Sequence, residues 1–337
     1  MTSYKDSGVD LEGADRHVAN IGPLVTSTWG KQVIGGFGGF AAGVELPPGY
    51  KKPVLMMSTD GVGTKLELAR IANHWDGVGF DLVAMCVDDL AVVGAKPIGF
   101  VDYMAVGSLK PERDTAVVAS VAKACAAVDC PLVGGETAEH PGVMDVDAID
   151  LAGAVVGIVE KGREITGAGI EAGDAIVGIA SPNLRSNGFS LIRRIVGDTD
   201  LNLPFPGEDA TYAEVLLRPS VLYSNGVLAA IEAGGVRGAA HITGGGIPGN
   251  LIRPIPSDFG AVVDLSSWET PNVFKAIQEM GSVSPDSMVE TFNLGIGFCL
   301  FVNQTQVEST VTLLKEHGHS SLQIGEVTTG PHRVEFV

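Results

Sequence analysis

Ser58-Thr59-Asp60-Gly61-Val62-Gly63-Thr64-Lys65 sets a carboxylate beside two close glycines, a hydroxyl and an amine. Glycines let backbone approach an anion, and a helix start presents unpaired N–H groups at the positive end of a dipole. A carboxylate in such a place repels phosphate unless a cation lies between them, which makes Asp60 a candidate metal ligand. The Walker spacing is absent, and an ordinary glycine turn is the alternative. A similar arrangement recurs at Pro131-Leu132-Val133-Gly134-Gly135-Glu136-Thr137, and a third glycine cluster follows His241-Ile242-Thr243 at Gly244-Gly245-Gly246. Asp81 and Asp88 stand two helical turns apart with Asp89 beside them, in a run otherwise apolar. A shared cation and a solvated helix face are the two readings of those acids.

These groups need elements to position them. An apolar run at Pro53–Met57 leads into the first glycine stretch as a strand, and a helical pattern leaves it. Helices are expected over 8–29, with Pro23 bending or ending the first, and over 80–95, 112–128, 219–233, 271–280 and 304–317. Strands are expected over 97–106, 149–160, 175–181, 237–242, 260–264, 297–302, 322–327 and 333–337. Ser186 or Asn187 caps a helix through the Ser186-Asn187-Gly188-Phe189-Ser190-Leu191 run. Gly35-Gly36-Phe37-Gly38-Gly39 reads as a mobile lid; it loosely satisfies a dinucleotide-binding pattern but lacks the strand and the acid that pattern requires. A polar, glycine-bearing joint after Glu160 divides the chain into domains over 1–167 and 168–337.

Composition narrows the partners. The chain has 337 residues, 45% of them hydrophobic, and a net charge of −18. That balance argues against nucleic acid or an anionic membrane, because nothing drives counterion release. Four cysteines, Cys86, Cys125, Cys130 and Cys299, form no C-x-x-C pair and read as buried thiols of a reducing compartment. The start of the chain has no apolar signal core and no apolar run reaches spanning length, so a cytoplasmic location is expected.

Asp89-Leu90-Ala91-Val92-Val93-Gly94-Ala95-Lys96-Pro97 matches D-x4-G-A-x-P. With Ser3-Tyr4-Lys5-Asp6-Ser7-Gly8-Val9, the blocks at 59–65, 81–90, 134–142, 186–191 and 241–246, and Thr291-Phe292-Asn293-Leu294-Gly295-Ile296-Gly297, it resembles the aminoimidazole ribonucleotide synthetase (phosphoribosylformylglycinamidine cyclo-ligase) family over nearly the whole chain. The resemblance implies two α/β domains, the first dimerising through β-strands, the second packing helices on a mixed sheet, with the active site in the cleft between them. It implies ATP-dependent closure of formylglycinamidine ribonucleotide to aminoimidazole ribonucleotide. Asp60, Asp89 and Glu136, with Asp81 and Asp88 as further members, are then expected to hold magnesium against the ATP phosphates, and potassium is a further candidate ion. Lys65, Gly61, Gly63, Thr64, Gly134, Gly135 and Thr137 would steady phosphate oxygens. Lys5 and Gly35, Gly36, Gly38 and Gly39 would close over the nucleotide. Asn187, Thr243, Gly244, Gly245 and His241 would face the substrate amide or its phosphate, His241 as acid or base. Asp60, Asp89, His241 and Lys65 form the expected catalytic set.

Four positions depart from the family pattern. Asp88 stands where asparagine is common, His140 where methionine is usual, Arg185 where histidine often precedes Ser-Asn-Gly, and Leu294 where cysteine is usual. A thiamine-phosphate kinase of the same superfamily is the nearest enzymatic alternative, and a nucleotide-binding regulator without turnover is the alternative from another class.

Overall fold

The computed structural model describes Gly8 and residues 10–337. It divides into two compact units: residues up to Val87 with Lys96–Glu160, and Asp88–Ala95 with Lys161–Val337. One division of the chain falls between Glu160 and Lys161. The transfer of residues 88–95 to the second unit was not foreseen, because a helix of continuous apolar pattern gives no sign that its last turn packs elsewhere.

The first unit contains α1 (Leu11–Thr26), the short β1 (Val33–Ile34) and β2 (Gly43–Val44), β3 (Pro53–Gly61), α2 (Lys65–Ala72), α3 (Val78–Val92, whose end belongs to the second unit), β4 (Lys96–Val106), α4 (Pro111–Ala127), β5 (Leu132–Glu139) and β6 (Ile149–Glu160). Four strands form a mixed sheet in the order β3-β6-β4-β5, with β4 and β5 parallel. Strand alternation gives the sheet two unlike faces. Phe100, Met104, Leu151 and Val155 are buried on one. Leu55, Met57, Val101 and Tyr103, 41 to 73% exposed, share the other with Ala152, Ala154 and Val156. β1 and β2 pair antiparallel and frame the glycine-rich segment 35–42 as a hairpin, where only a loop was expected. α1 continues through Pro23 to Thr26.

The second unit contains β7 (Ala175–Ala180), α5 (Phe189–Val196), α6 (Tyr212–Leu216), α7 (Ser224–Ala233), β8 (Val236–His241), α8 (Gly246–Leu251), β9 (Phe259–Val263), α9 (Asn272–Gly281), α10 (Pro285–Thr291), β10 (Ile296–Val302), α11 (Val307–Glu316), β11 (Ser321–Thr329) and β12 (Val334–Phe336). Six strands run β12-β9-β11-β7-β10-β8, antiparallel except for the β12–β9 pair. Apolar layers cover both faces: Ile176, Ile247, Leu251 and Phe301 on one side, Val177, Val227, Phe298 and Leu314 on the other. This is why β7 and β10 read as unbroken apolar runs instead of alternating ones. The short α6 and α10 escaped sequence reading, although Thr211 and Glu214 form a reciprocal capping box and Ser284 caps α10.

In the first unit, Gly79 of α3 has no room for a side chain. Its N–H donates to Ser120 Oγ at 3.0 Å, and a Cβ there would overlap the backbone of Ser120 and Val121 in α4. Gly79→Ala should therefore destabilise the protein by about 3 kcal/mol through forced separation of α3 and α4, read as a lower urea midpoint at unchanged slope.

Candidate active site

In the first unit, β3 runs on through Asp60 to Gly61, so Asp60 sits on a strand end and not in a turn. Its carboxylate is exposed, and Oδ1 accepts the Gly61 N–H at 2.7 Å, which uses one amide expected for phosphate. Gly63, at φ +71°, makes the reversal into α2, and Thr64 and Gly63 are exposed there. Lys65 is different. Its ammonium lies 2.6 Å from Asp81, and both side chains are at most 1% exposed. The expected phosphate contact from Lys65 and the expected metal role of Asp81 are both displaced by this buried pair: each neutralises the other, and separating them would strand a charge in the core.

Gly134, Gly135, Glu136 and Thr137 lie within β5, and so form a strand where a glycine turn was expected. Register fixes their relation to Asp60. Asp60 pairs with Gly153, Gly153 with Asp102 and Asp102 with Gly135, so Asp60 and Asp102 share one row and one face. Glu136, opposite Tyr103, belongs to the other face. Asp60 and Glu136 are on the two edge strands, roughly 14 Å apart by strand spacing, and cannot hold one ion within this unit.

Asp102 carries no signal that sequence reading used. It is half-buried on β4, beside the bare backbone of Gly135, and burial pushes its carboxyl up to about 7. Close by, the α1 residue His17 is 3% exposed, with Nε2 3.3 Å from Thr137 Oγ1 and Nδ1 buried without a hydrogen-bond partner among the described residues. Burial lowers its pKa, and Asp114 opposes that more weakly. Gly35, Gly36, Gly38 and Gly39 are exposed on the hairpin loop. Lys5 lies outside the described residues.

In the second unit, Asp89 at the end of α3 is 46% exposed, and its Oδ1 lies 2.9 Å from His241 Nδ1. His241 ends β8, is 5% exposed and stacks on Phe298 at 5.9 Å. Its Nε2 is buried, 3.9 Å from Asp88 Oδ2 and without a hydrogen-bond partner among the described residues. The ring therefore holds Asp89 and does not present an acid or base to solvent. Thr243-Gly244-Gly245 does form a turn, leading to α8 through Gly245 at φ +94°. Asn250, which sequence reading missed, ties that turn: its amide donates to the carbonyls of Thr243, Gly244 and Gly246 at 2.8 to 3.3 Å. Asn187 stands beside Gly244, while Gly188, at φ +77°, takes the N-cap position of α5 expected for Ser186 or Asn187.

Asp88 is not a metal ligand in this arrangement. One oxygen accepts from Arg185 Nη2 at 2.7 Å and the other from the Tyr223 N–H at 2.9 Å, with both charged side chains fully buried. Arg185 also donates to the carbonyls of Gly297 and Val221 and lies over the Tyr223 ring at 4.8 Å. Two departures from the family pattern are thus one interaction. Of the others, His140 bonds Tyr103 Oη, and Leu294 offers its carbonyl to Trp268. Within either unit, no three described acids, histidines or cysteines gather as a ready metal centre.

Two outcomes follow from the buried groups. Asp88→Asn or Arg185→His alone should cost on the order of 3 kcal/mol, and the double variant less than their sum, measured as a double-mutant cycle in urea. Because folding raises the Asp102 pKa from 3.8 to about 7, the folded chain keeps a proton that the unfolded chain releases. Stability should fall as pH rises through that window, and Asp102→Asn should gain Tm relative to the parent at pH 8 but not at pH 4.

Residues 41–159 match the family described as AIR synthase related protein, N-terminal domain, and residues 171–337 match its C-terminal domain. A phosphoribosylformylglycinamidine cyclo-ligase of Crocosphaera subtropica is 43% identical, covering 97% of each chain. Among solved structures, thiamine-monophosphate kinase from Stenotrophomonas maltophilia superposes with a TM-score of 0.69 at 18% identity, covering 96% of this chain and 94% of that one. Hydrogenase maturation protein HypE in complex with ATP gives 0.65 at 19% identity, covering 95% and 88%. The last two show the fold alone. Full-length identity and both domain matches agree: the chain belongs to the phosphoribosylformylglycinamidine cyclo-ligase family of AIR synthase related proteins.

Proposed function

We propose that the chain closes formylglycinamidine ribonucleotide to aminoimidazole ribonucleotide, consuming ATP and releasing ADP and phosphate. The observation that carries this reading is identity of 43% across 97% of both chains to a relative of that name. An amide oxygen is a poor leaving group. Transfer of the γ-phosphoryl group to it makes a phosphate ester of the imidate; the substrate's own amine attacks the carbon, its proton passes to solvent, the C–O bond breaks and phosphate departs. Such transfer asks the protein chiefly for positioning and charge neutralisation.

Each unit offers one exposed carboxylate beside a glycine-bearing reversal, Asp60 in the first and Asp89 in the second. Oxygen-only donors in this number suit magnesium, which takes one or two carboxylates with phosphates and water. Asp60 and Asp89 would each serve as a magnesium ligand, and magnesium when bound supplies charge neutralisation at the ATP phosphates. His241 fixes the Asp89 carboxylate by its Nδ1 contact. Asn187, Thr243, Gly244 and Gly245 present polar groups to the substrate amide or its phosphate, and the hairpin loop at 35–39 serves as a lid. Lys65, Asp81 and Asp88 are left to the core, and Glu136 serves its own face of the sheet. The partly exposed apolar face bearing Leu55, Met57 and Tyr103 supports a homodimer through the first unit. Among the described residues no helix is long and apolar enough to cross a membrane, and four buried free cysteines accord with the cytoplasm.

ADP release should require formylglycinamidine ribonucleotide. Release that needs thiamine phosphate instead, or no release with either, overturns the proposal. Asp60→Asn and Asp89→Asn should each lower turnover at least about a hundredfold with the urea midpoint unchanged, and near-normal activity in both would remove the metal-holding role.

A further inference from the structure

A cavity of about 350 Å³ opens in the first unit between α1, the glycine-rich loop, β4 and β5. Asp102, His17 and Thr137 line it, Glu136 joins them from the other side of the edge strand β5, and no lysine or arginine is among the described lining residues. Apolar side chains such as Val18, Ile21 and Phe37 complete it. A half-buried carboxyl group with no described lysine or arginine in the wall makes it a poor seat for phosphate and a good one for a ligand cation.

The Asp102 carboxyl stands against β5 where the backbone is bare: a Cβ on Gly135 would collide with Oδ1. Among the described residues, the hydrogen bond to it comes from its own N–H. Burial lowers the His17 pKa and so disfavours the charged ring, and its Nε2 is turned to Thr137. Its Nδ1 is a second polar atom in the same wall with no hydrogen-bond partner among the described residues. A planar cation with two parallel N–H groups answers a half-buried carboxylate better than a spherical ion, because both oxygens are met at once and the charge is spread.

We infer that this cavity receives the amidinium end of the substrate, with Asp102 as the carboxylate that pairs with it. The inference rests on the proposed ring closure, whose substrate carries an amidine, a base strong enough to be protonated near neutrality. It makes Asp102 the group that separates the amidine substrate from the uncharged amide of nearly the same shape.

The test compares the amidine ribonucleotide with its analogue in which the amidine nitrogen is replaced by oxygen. In Asp102→Asn, KM for the amidine substrate should rise at least tenfold, while inhibition by the amide analogue and KM for ATP stay within twofold. Gly135→Ala, whose new Cβ displaces the carboxyl, should show the same selective loss; thermal denaturation checks that both variants remain folded. Equal weakening of amidine and amide, or no change in either, overturns the inference. If the parent enzyme does not turn over the amidine substrate, the proposed reaction fails on its own, and calorimetric binding of the two ribonucleotides to parent and variant still decides whether the cavity selects an amidinium.

Discussion

The fully buried contact between Asp88 and Arg185 governs the second unit. A carboxylate and a guanidinium taken out of water are tolerable only when each satisfies the other and the remaining donors find carbonyls. Arg185 donates from its two Nη atoms to Gly297 and Val221 while lying over Tyr223, and Asp88 takes the Tyr223 N–H. The last turn of α3 is thereby fastened to the loop before α5, the segment before α7 and the start of β10. Asp89 follows Asp88 directly, so the direction of the exposed carboxylate is inherited from a pair that never meets solvent. The backbone at Arg185 takes φ +57°, an uncommon conformation for a side chain of that size, and the network it enters is what holds it there.

The first unit solves a different problem. Its sheet has helices over one face only, and chemistry-bearing groups are divided between faces by strand alternation: Asp60 and Asp102 on the covered side, Glu136 and Tyr103 on the other. Glycines occupy the row between and beside the acids. At Gly135 the missing side chain is what lets the Asp102 carboxyl stand over bare backbone, so a glycine that reads as a turn residue in sequence works instead as space within a strand.

Much of this was legible in the sequence. Period and apolar content gave nearly all the strands and long helices, and β6 over its full length, because those elements are set by burial of a regular pattern. Motif blocks gave the family. Turns were less legible: the Gly134-Gly135 pair resembles a reversal, but parallel pairing with β4 extends it, and pairing partners are not visible locally. Charged residues were hardest. Lys65 and Asp81, or Asp88 and Arg185, look like ligands one at a time, and only tertiary contact shows that each carboxylate has a cation of its own. Asp102, a single acid inside an apolar strand, offered no spacing to notice.

The four cysteines carry a last consequence. All are buried and none is in a disulfide, and burial pushes the Cys130 thiol up to about 12 and the Cys125 thiol well above its ordinary range. The thiolate is the reactive form, so in the folded chain these sulfurs are nearly inert. Three of them lie in the first unit and Cys299 in the second. Their reaction with a thiol reagent therefore times the opening of the chain, and the position of the label tells which half opened first.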